Sequence, residues 1–300
     1  VRQVVTAALA ATQLCLGTGC LLRSAFTAAP AEGMRVERDI AYYGGAGFDD
    51  GKHRLDLYVP DGSGPHPVVV FVHGGGWIFG DRHWFADVYE KLGRRLASHG
   101  IVAAVISYRL APRFKHPVQI EDVARAVSWV LHHAGEHGGD PGRVFLMGHS
   151  AGAQLVALVA TDPRWLRAQG SDPGQIAGVV AVSGPYDVAH CGRSTLLCGL
   201  PMIIPTFGPN PAVWRDASPA QHLRDAPAPP FLVAYADADP SLLRDDGRHF
   251  VKALQDARVP AVELEVPWRD HFTDITDWGL PGDPLAEATL SFVAHAQARH

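Results

Sequence analysis

Gly148-His149-Ser150-Ala151-Gly152 sets a hydroxyl between two glycines, directly behind a short apolar run (Val144 to Met147) and directly ahead of a longer one (Ala151 to Ala160). That order describes a strand, a sharp turn and a helix. Flanking glycines let the backbone bend tightly and leave the Ser150 hydroxyl exposed at the tip. The helix that follows aims its first N–H groups, and a partial positive charge, at the same point. Such a hydroxyl becomes a nucleophile once a nearby base takes its proton. A bare Gly-x-Ser-x-Gly match also fits a structural turn; the strand before it and the helix after it favour the nucleophile.

A second group, His73-Gly74-Gly75-Gly76-Trp77, follows the apolar run Val68 to Val72. Attack on a carbonyl creates an oxyanion, and backbone N–H groups stabilise it best where no side chain blocks the approach. Gly75 and Gly76, with Ala151 after the nucleophile, are the candidate donors. His73 and Trp77 are expected to pack and position the loop.

A nucleophile on a strand–helix elbow requires the chain order nucleophile, acid, base. With sixteen histidines, residue type alone says little. His271, in Asp270-His271-Phe272, follows the last strand-like run and can reach back over the strand ends. His249 and His295 fall within helical patterns, and most other histidines precede the candidate acids. For the acid, Asp239 ranks first, because a short turn separates it from the run Phe231 to Tyr235 and Pro240 follows it. Asp237 ranks second. Asp187, after the preceding strand, is third and suits a capping or turn role.

These residues need a scaffold that brings separate strand ends together. Val36 to Tyr43 and Arg54 to Val59 alternate polar and apolar residues, as in a half-buried antiparallel hairpin at a sheet edge. Residues 68–72, 101–106, 144–147, 176–182 and 231–235 are short, nearly continuous apolar runs, the pattern of strands buried on both faces of a parallel sheet. Helical patterns at 84–99, 120–137, 151–160 and 242–257 alternate with them, and a last strand (261–266) precedes a closing helix at 285–298. The expected fold is a single α/β domain over residues 36–300, with a central, mostly parallel sheet and helices on both faces. Residues 185–223 are rich in Pro, Gly and Cys and lack periodicity, which predicts a short lid insertion.

Composition narrows the partner. The 300 residues are 47% hydrophobic, enough for one large core, and 26 Lys and Arg nearly balance 31 Asp and Glu. A net charge of −5 without basic clusters offers no footprint for nucleic acid. A small, weakly charged molecule is the expected partner.

The N-terminus stands apart. No charged residue occurs from Gln3 to Leu22, and Val4 to Leu16 has the length of a secretory signal core. Gly17-Thr18-Gly19-Cys20 resembles a bacterial lipoprotein signal, which implies a cleaved segment 1–19, a linker 20–35 and a lipid on Cys20. The protein would then be exported to the cell envelope or periplasm and attached to a membrane through that lipid. An uncleaved span, or a true start near Met34 with a cytoplasmic product, are the competing readings. In an oxidising compartment Cys191 and Cys198 would form a disulfide; otherwise they are two unrelated thiols.

Taken as a set, residues 73–77, Tyr108-Arg109-Leu110-Ala111-Pro112, Gly139-Asp140-Pro141, residues 148–152 and residues 270–272 resemble bacterial carboxylesterases of the α/β-hydrolase fold. The hormone-sensitive-lipase-like esterases and the kynurenine formamidase and prenylcysteine methylesterase group are the nearest in motif. His149 and Ala153 stand where the lipase-like enzymes carry Asp and Gly, which favours the second group. The resemblance implies an acyl-enzyme mechanism without metal or cofactor. It also implies a triad of Ser150, Asp239 and His271, and an oxyanion hole of Gly75, Gly76 and Ala151. The expected reaction is hydrolysis of a short-chain carboxylic ester. An arylformamidase-type amidase would use the same residues, and a catalytically idle binding protein is the remaining alternative.

Overall fold

The computed structural model describes residues 33–44, 51–84, 87–192, 200–223 and 227–296. The apolar runs form strands β1 (Met34–Ala41), β2 (Arg54–Pro60), β3 (His66–Val72), β4 (Val102–Ile106), β5 (Gly139–His149), β6 (Ile176–Val182), β7 (Phe231–Ala236) and β8 (Ala261–Val266). They make one sheet in the order β1-β2-β4-β3-β5-β6-β7-β8. β2 pairs antiparallel with β1 and with β4, and every other pairing is parallel. The edge hairpin and the mostly parallel centre match the two kinds of hydrophobic pattern.

Alternation along each strand divides the core. Val68, Val70 and Val72 face one side with helices α2 (Val118–His133), α3 (Ala151–Thr161) and α4 (Ser241–Asp256). Val69 and Phe71 face the other side with α1 (Val88–Ser98) and α5 (Pro284–His295). Every residue of α3 is buried, which explains a helix apolar on all faces. After β3 the chain first adds β4 on one side, then returns to place β5 on the other. Loops leaving β3 and β5 therefore diverge and open a crevice at the C-terminal strand ends.

Some boundaries differ from expectation. β5 begins at Gly139, because Gly139 already pairs with His66 ahead of the apolar run. Trp84 lies in a turn before α1 rather than within it. Segment 185–223 is not structureless: it holds short helices at Val188–Cys191, Leu200–Phe207 and Pro211–Asp216. Helices of one or two turns are too short to show a 3.6-residue period. Local caps start two of them, with Asp187 accepting the His190 N–H and Asn210 accepting the Ala212 N–H ahead of Pro211. Cys20 and Cys198 lie outside the described residues, as does the predicted signal. Among the described residues no helix is long and apolar enough to cross a membrane.

Candidate active site

Strand register assembles the site. Val72 of β3 lies opposite Gly148 of β5, so the loop from His73 runs beside the elbow at Ser150. His149 pairs with Val182, Val182 with Ala234, and Ala236 with Val266. Loops that begin at 150, 183, 237 and 267 thus emerge at one end of the sheet.

At the elbow Ser150 adopts φ 55°, ψ −119°, a conformation that costs a non-glycine residue about 1–3 kcal/mol. Packing enforces it: a side chain at Gly148 would meet the Gly152 carbonyl, and one at Gly152 would meet the Val72 carbonyl. The Ser150 N–H donates to the Val182 carbonyl at 2.8 Å, which pins the turn to the next strand. Serine at this position usually caps the helix with its own oxygen. Here it makes no cap bond. Its Oγ instead lies 3.0 Å from His271 Nε2.

His271 Nδ1 lies 2.8 Å from Asp239 Oδ1. With the Nδ1 proton donated to the carboxylate, Nε2 presents its lone pair to the Ser150 hydroxyl. Asp239 is buried, and its Oδ2 accepts the Ala236 N–H at 2.8 Å and contacts the Ser183 hydroxyl at 2.6 Å. Burial opposes its charge, but the hydrogen bond and charge of His271, helped by Ser183 and Ala236, hold its carboxyl below the usual carboxylate range. Asp237 points elsewhere. It accepts the Trp268 N–H at 2.8 Å and the Arg269 N–H at 3.2 Å, and these bonds lower its pKa. Asp187 is a helix cap, and His249 and His295 lie exposed on α4 and α5.

Gly75 (φ 100°) and Gly76 (φ 60°) occupy left-handed conformations. A side chain at Gly75 would strike the Phe79 carbonyl, and one at Gly76 the sulfur of Met202, from the 200–207 helix. The rest of the loop is braced. Trp77 Nε1 donates to Gln154 Oε1 at 2.9 Å, and the Ala111 N–H donates to the Trp77 carbonyl at 2.9 Å. Tyr108 stacks on His73, ring centroids 4.3 Å apart, and its hydroxyl donates to the His73 carbonyl at 3.1 Å. Arg109 pairs with buried Asp122 at 2.6 Å. The Tyr108–Pro112 motif therefore supports the glycine loop from behind.

His73 is fully buried, and burial pushes its imidazole down to about 4, against the opposing bond from Nδ1 to the Gly74 carbonyl at 2.8 Å. A depressed native pKa gives stability that is complete above the unfolded value of about 6.5 and is lost as pH falls through about 4. The gap is worth on the order of 3 kcal/mol. In His73→Asn the amide can keep the bond to Gly74 without titrating. Urea midpoints between pH 7 and pH 4 should fall more steeply for the wild type than for His73→Asn; parallel slopes would refute this account.

Ser183 is a site residue that sequence reasoning does not single out. The available signal is position: it directly follows β6, one residue past Val182, which pairs with His149 on the neighbouring strand. Asp39, Asp56 and His83 also converge. However, Arg82 pairs with Asp39 and with Asp56 (3.1 Å), and Arg38 reaches Asp56 at 3.3 Å, so the carboxylates belong to an ion-pair network.

The chain resembles known proteins over most of its length. It is 32% identical over 269 residues to a probable carboxylic ester hydrolase, LipM, of Mycobacterium tuberculosis, covering 84% of this chain and 61% of that protein. It is 32% identical over 234 residues to a probable isoprenylcysteine alpha-carbonyl methylesterase of Arabidopsis thaliana, covering 73% and 47% respectively. The chain thus spans between about half and three fifths of the length of these curated relatives. The crystal structure of esterase B from Lactobacillus rhamnosis superposes with a TM-score of 0.76 at 23% identity, covering 97% of this chain and 91% of that one. The architecture is the α/β-hydrolase fold. The BD-FAE family model matches residues 55–254, from the second strand into the last turn of α4, and the chain belongs to the BD-FAE family.

Proposed function

We propose that this protein is a serine hydrolase that cleaves short-chain carboxylic esters through an acyl-enzyme. The observation that carries the reading is the contact chain from Ser150 Oγ to His271 Nε2 (3.0 Å) and from Nδ1 to Asp239 (2.8 Å). Ser150 Oγ attacks the ester carbonyl carbon while His271 Nε2 takes its proton. Asp239 stays ionised and stabilises the imidazolium. The N–H groups of Gly75, Gly76 and Ala151 receive the oxyanion. His271 then protonates the departing alkoxide and the alcohol leaves. Water, deprotonated by the same nitrogen, attacks the acyl-Ser150 carbonyl; the acyl C–Oγ bond breaks, His271 returns the proton to Ser150 Oγ, and the carboxylic acid leaves. The esterase and methylesterase names of the relatives support the substrate class.

The short acyl preference is supported by Met202, whose sulfur abuts Gly76 and narrows the approach on that side. With p-nitrophenyl esters from acetate to laurate, kcat/KM should be greatest for the short acyl groups and fall at least about tenfold by laurate. Absence of ester turnover, or a preference for laurate, would overturn the proposal. Preference for an aryl formamide over a matched ester would replace it with the amidase reading. Separately, the uncharged stretch ahead of Cys20 supports a proposal of export with a lipid on Cys20.

A further inference from the structure

Two more titratable side chains lie buried beside the base and take no part in the steps above. His149, between Gly148 and the nucleophile, is buried with its ring centroid 4.9 Å from that of His271. Its Nε2 bonds to the backbone carbonyl oxygen of His271 itself, at 2.8 Å. Asp274, three residues after the base in the helical turn Thr273–Thr276, is buried as well. Asp274 Oδ1 is 3.2 Å from His149 Nε2, and Oδ2 is 2.6 Å from Ser183 Oγ. That same hydroxyl reaches Asp239 Oδ2 at 2.6 Å. Ser183 has a single proton for two carboxylates, so a change at one is felt at the other.

A buried carboxylate costs several kcal/mol unless its partners compensate it. Here Oδ2 reaches the far oxygen of the acid through Ser183. Oδ1 makes no hydrogen bond among the described residues and lies at ion-pair distance from His149, whose ring is bonded to the backbone of the base. Burial opposes a charge on His149, yet Asp274 and the His271 carbonyl together hold its imidazole above the ordinary range. His271 sits in a loop beyond the last strand, and nothing in a loop alone fixes its carbonyl.

We propose that His149, anchored by Asp274, is a positioning residue that holds the His271 backbone where Nε2 faces Ser150. This rests on the acyl-enzyme reading above. A displacement of about 1 Å in such a constellation costs about 10²-fold in rate. His149→Ala should therefore lower kcat for a short ester by about 10²-fold and leave KM within about threefold. In His149→Gln the amide nitrogen falls near the place of Nε2, so most of the rate should return. Asp274→Asn keeps the shape and should lose about tenfold, which tests the anchor even where His149→Ala folds poorly. Rates are taken per active site, titrated with an alkyl phosphonate, so that unfolded protein does not count. Wild-type kcat in folded His149→Ala, or His149→Gln no better than His149→Ala, would overturn the inference. If the wild type neither turns over esters nor takes the phosphonate on Ser150, the functional proposal itself fails, and the positioning role with it.

Discussion

Ser150→Ala should lose nearly all ester turnover while melting within a few degrees of the wild type. The hydroxyl makes no cap bond and contacts His271 through one hydrogen bond, so its removal deletes little of the scaffold. Alanine inherits the same φ of 55°, held by the packing of Gly148 and Gly152 rather than by the serine. What disappears is the atom proposed to form the acyl bond. The oxyanion donors and substrate binding remain, and comparable hydrolases retain about 10³-fold over water on those alone. The phosphonate should modify the wild type at Ser150 and leave the variant unmodified. Substantial turnover by purified Ser150→Ala would end the assignment.

The acid gives the second large effect. Asp239→Asn should lose about 10⁴-fold in turnover at neutral pH, the size expected when the imidazole is left in the wrong tautomer. The cause is visible in the contacts. Ala236 and Ser183 both hold the far oxygen of Asp239. An asparagine would keep its carbonyl oxygen there and turn its NH₂ toward His271 Nδ1. The ring must then accept at Nδ1 and carry its proton on Nε2, which faces the serine hydroxyl with a hydrogen instead of a lone pair. Asp237→Asn is the control, because its carboxylate receives backbone N–H groups, those of Trp268 and Arg269 among them, and an amide oxygen can still accept. Its rate should stay within a few-fold of wild type. pH–rate profiles of both variants, with melting curves, decide the matter. A crippled Asp237→Asn beside a nearly normal Asp239→Asn would reverse the assignment.

How far the sequence revealed this site depended on the physics of each part. The elbow was legible because its glycines answer a steric demand, that the backbone at 148 and 152 pass within contact of neighbouring carbonyls. Asp239 and His271 were legible from chain order and from their distance beyond two adjacent apolar runs. The edge hairpin and the buried strands showed themselves through different hydrophobic periods. The helices of 188–216 did not, being too short for a period to emerge. Ser183 and Asp274 were hidden for another reason. A serine after a strand and an aspartate in a first helical turn look like ordinary end-caps. Only their meeting, across 91 residues of chain, gives them a role.

The sheet order also distributes protection unequally among the members of the proposed triad. Ser150 is carried by β5, with neighbours on both sides, whereas His271 hangs from β8, the last strand, where Val262 is 56% exposed. Local opening free energies are lowest where buried contacts are fewest. A transient detachment of that edge would carry the base away and leave the nucleophile seated in an intact core. Heat would then silence the enzyme before it unfolds, and cooling would restore it without a refolding step.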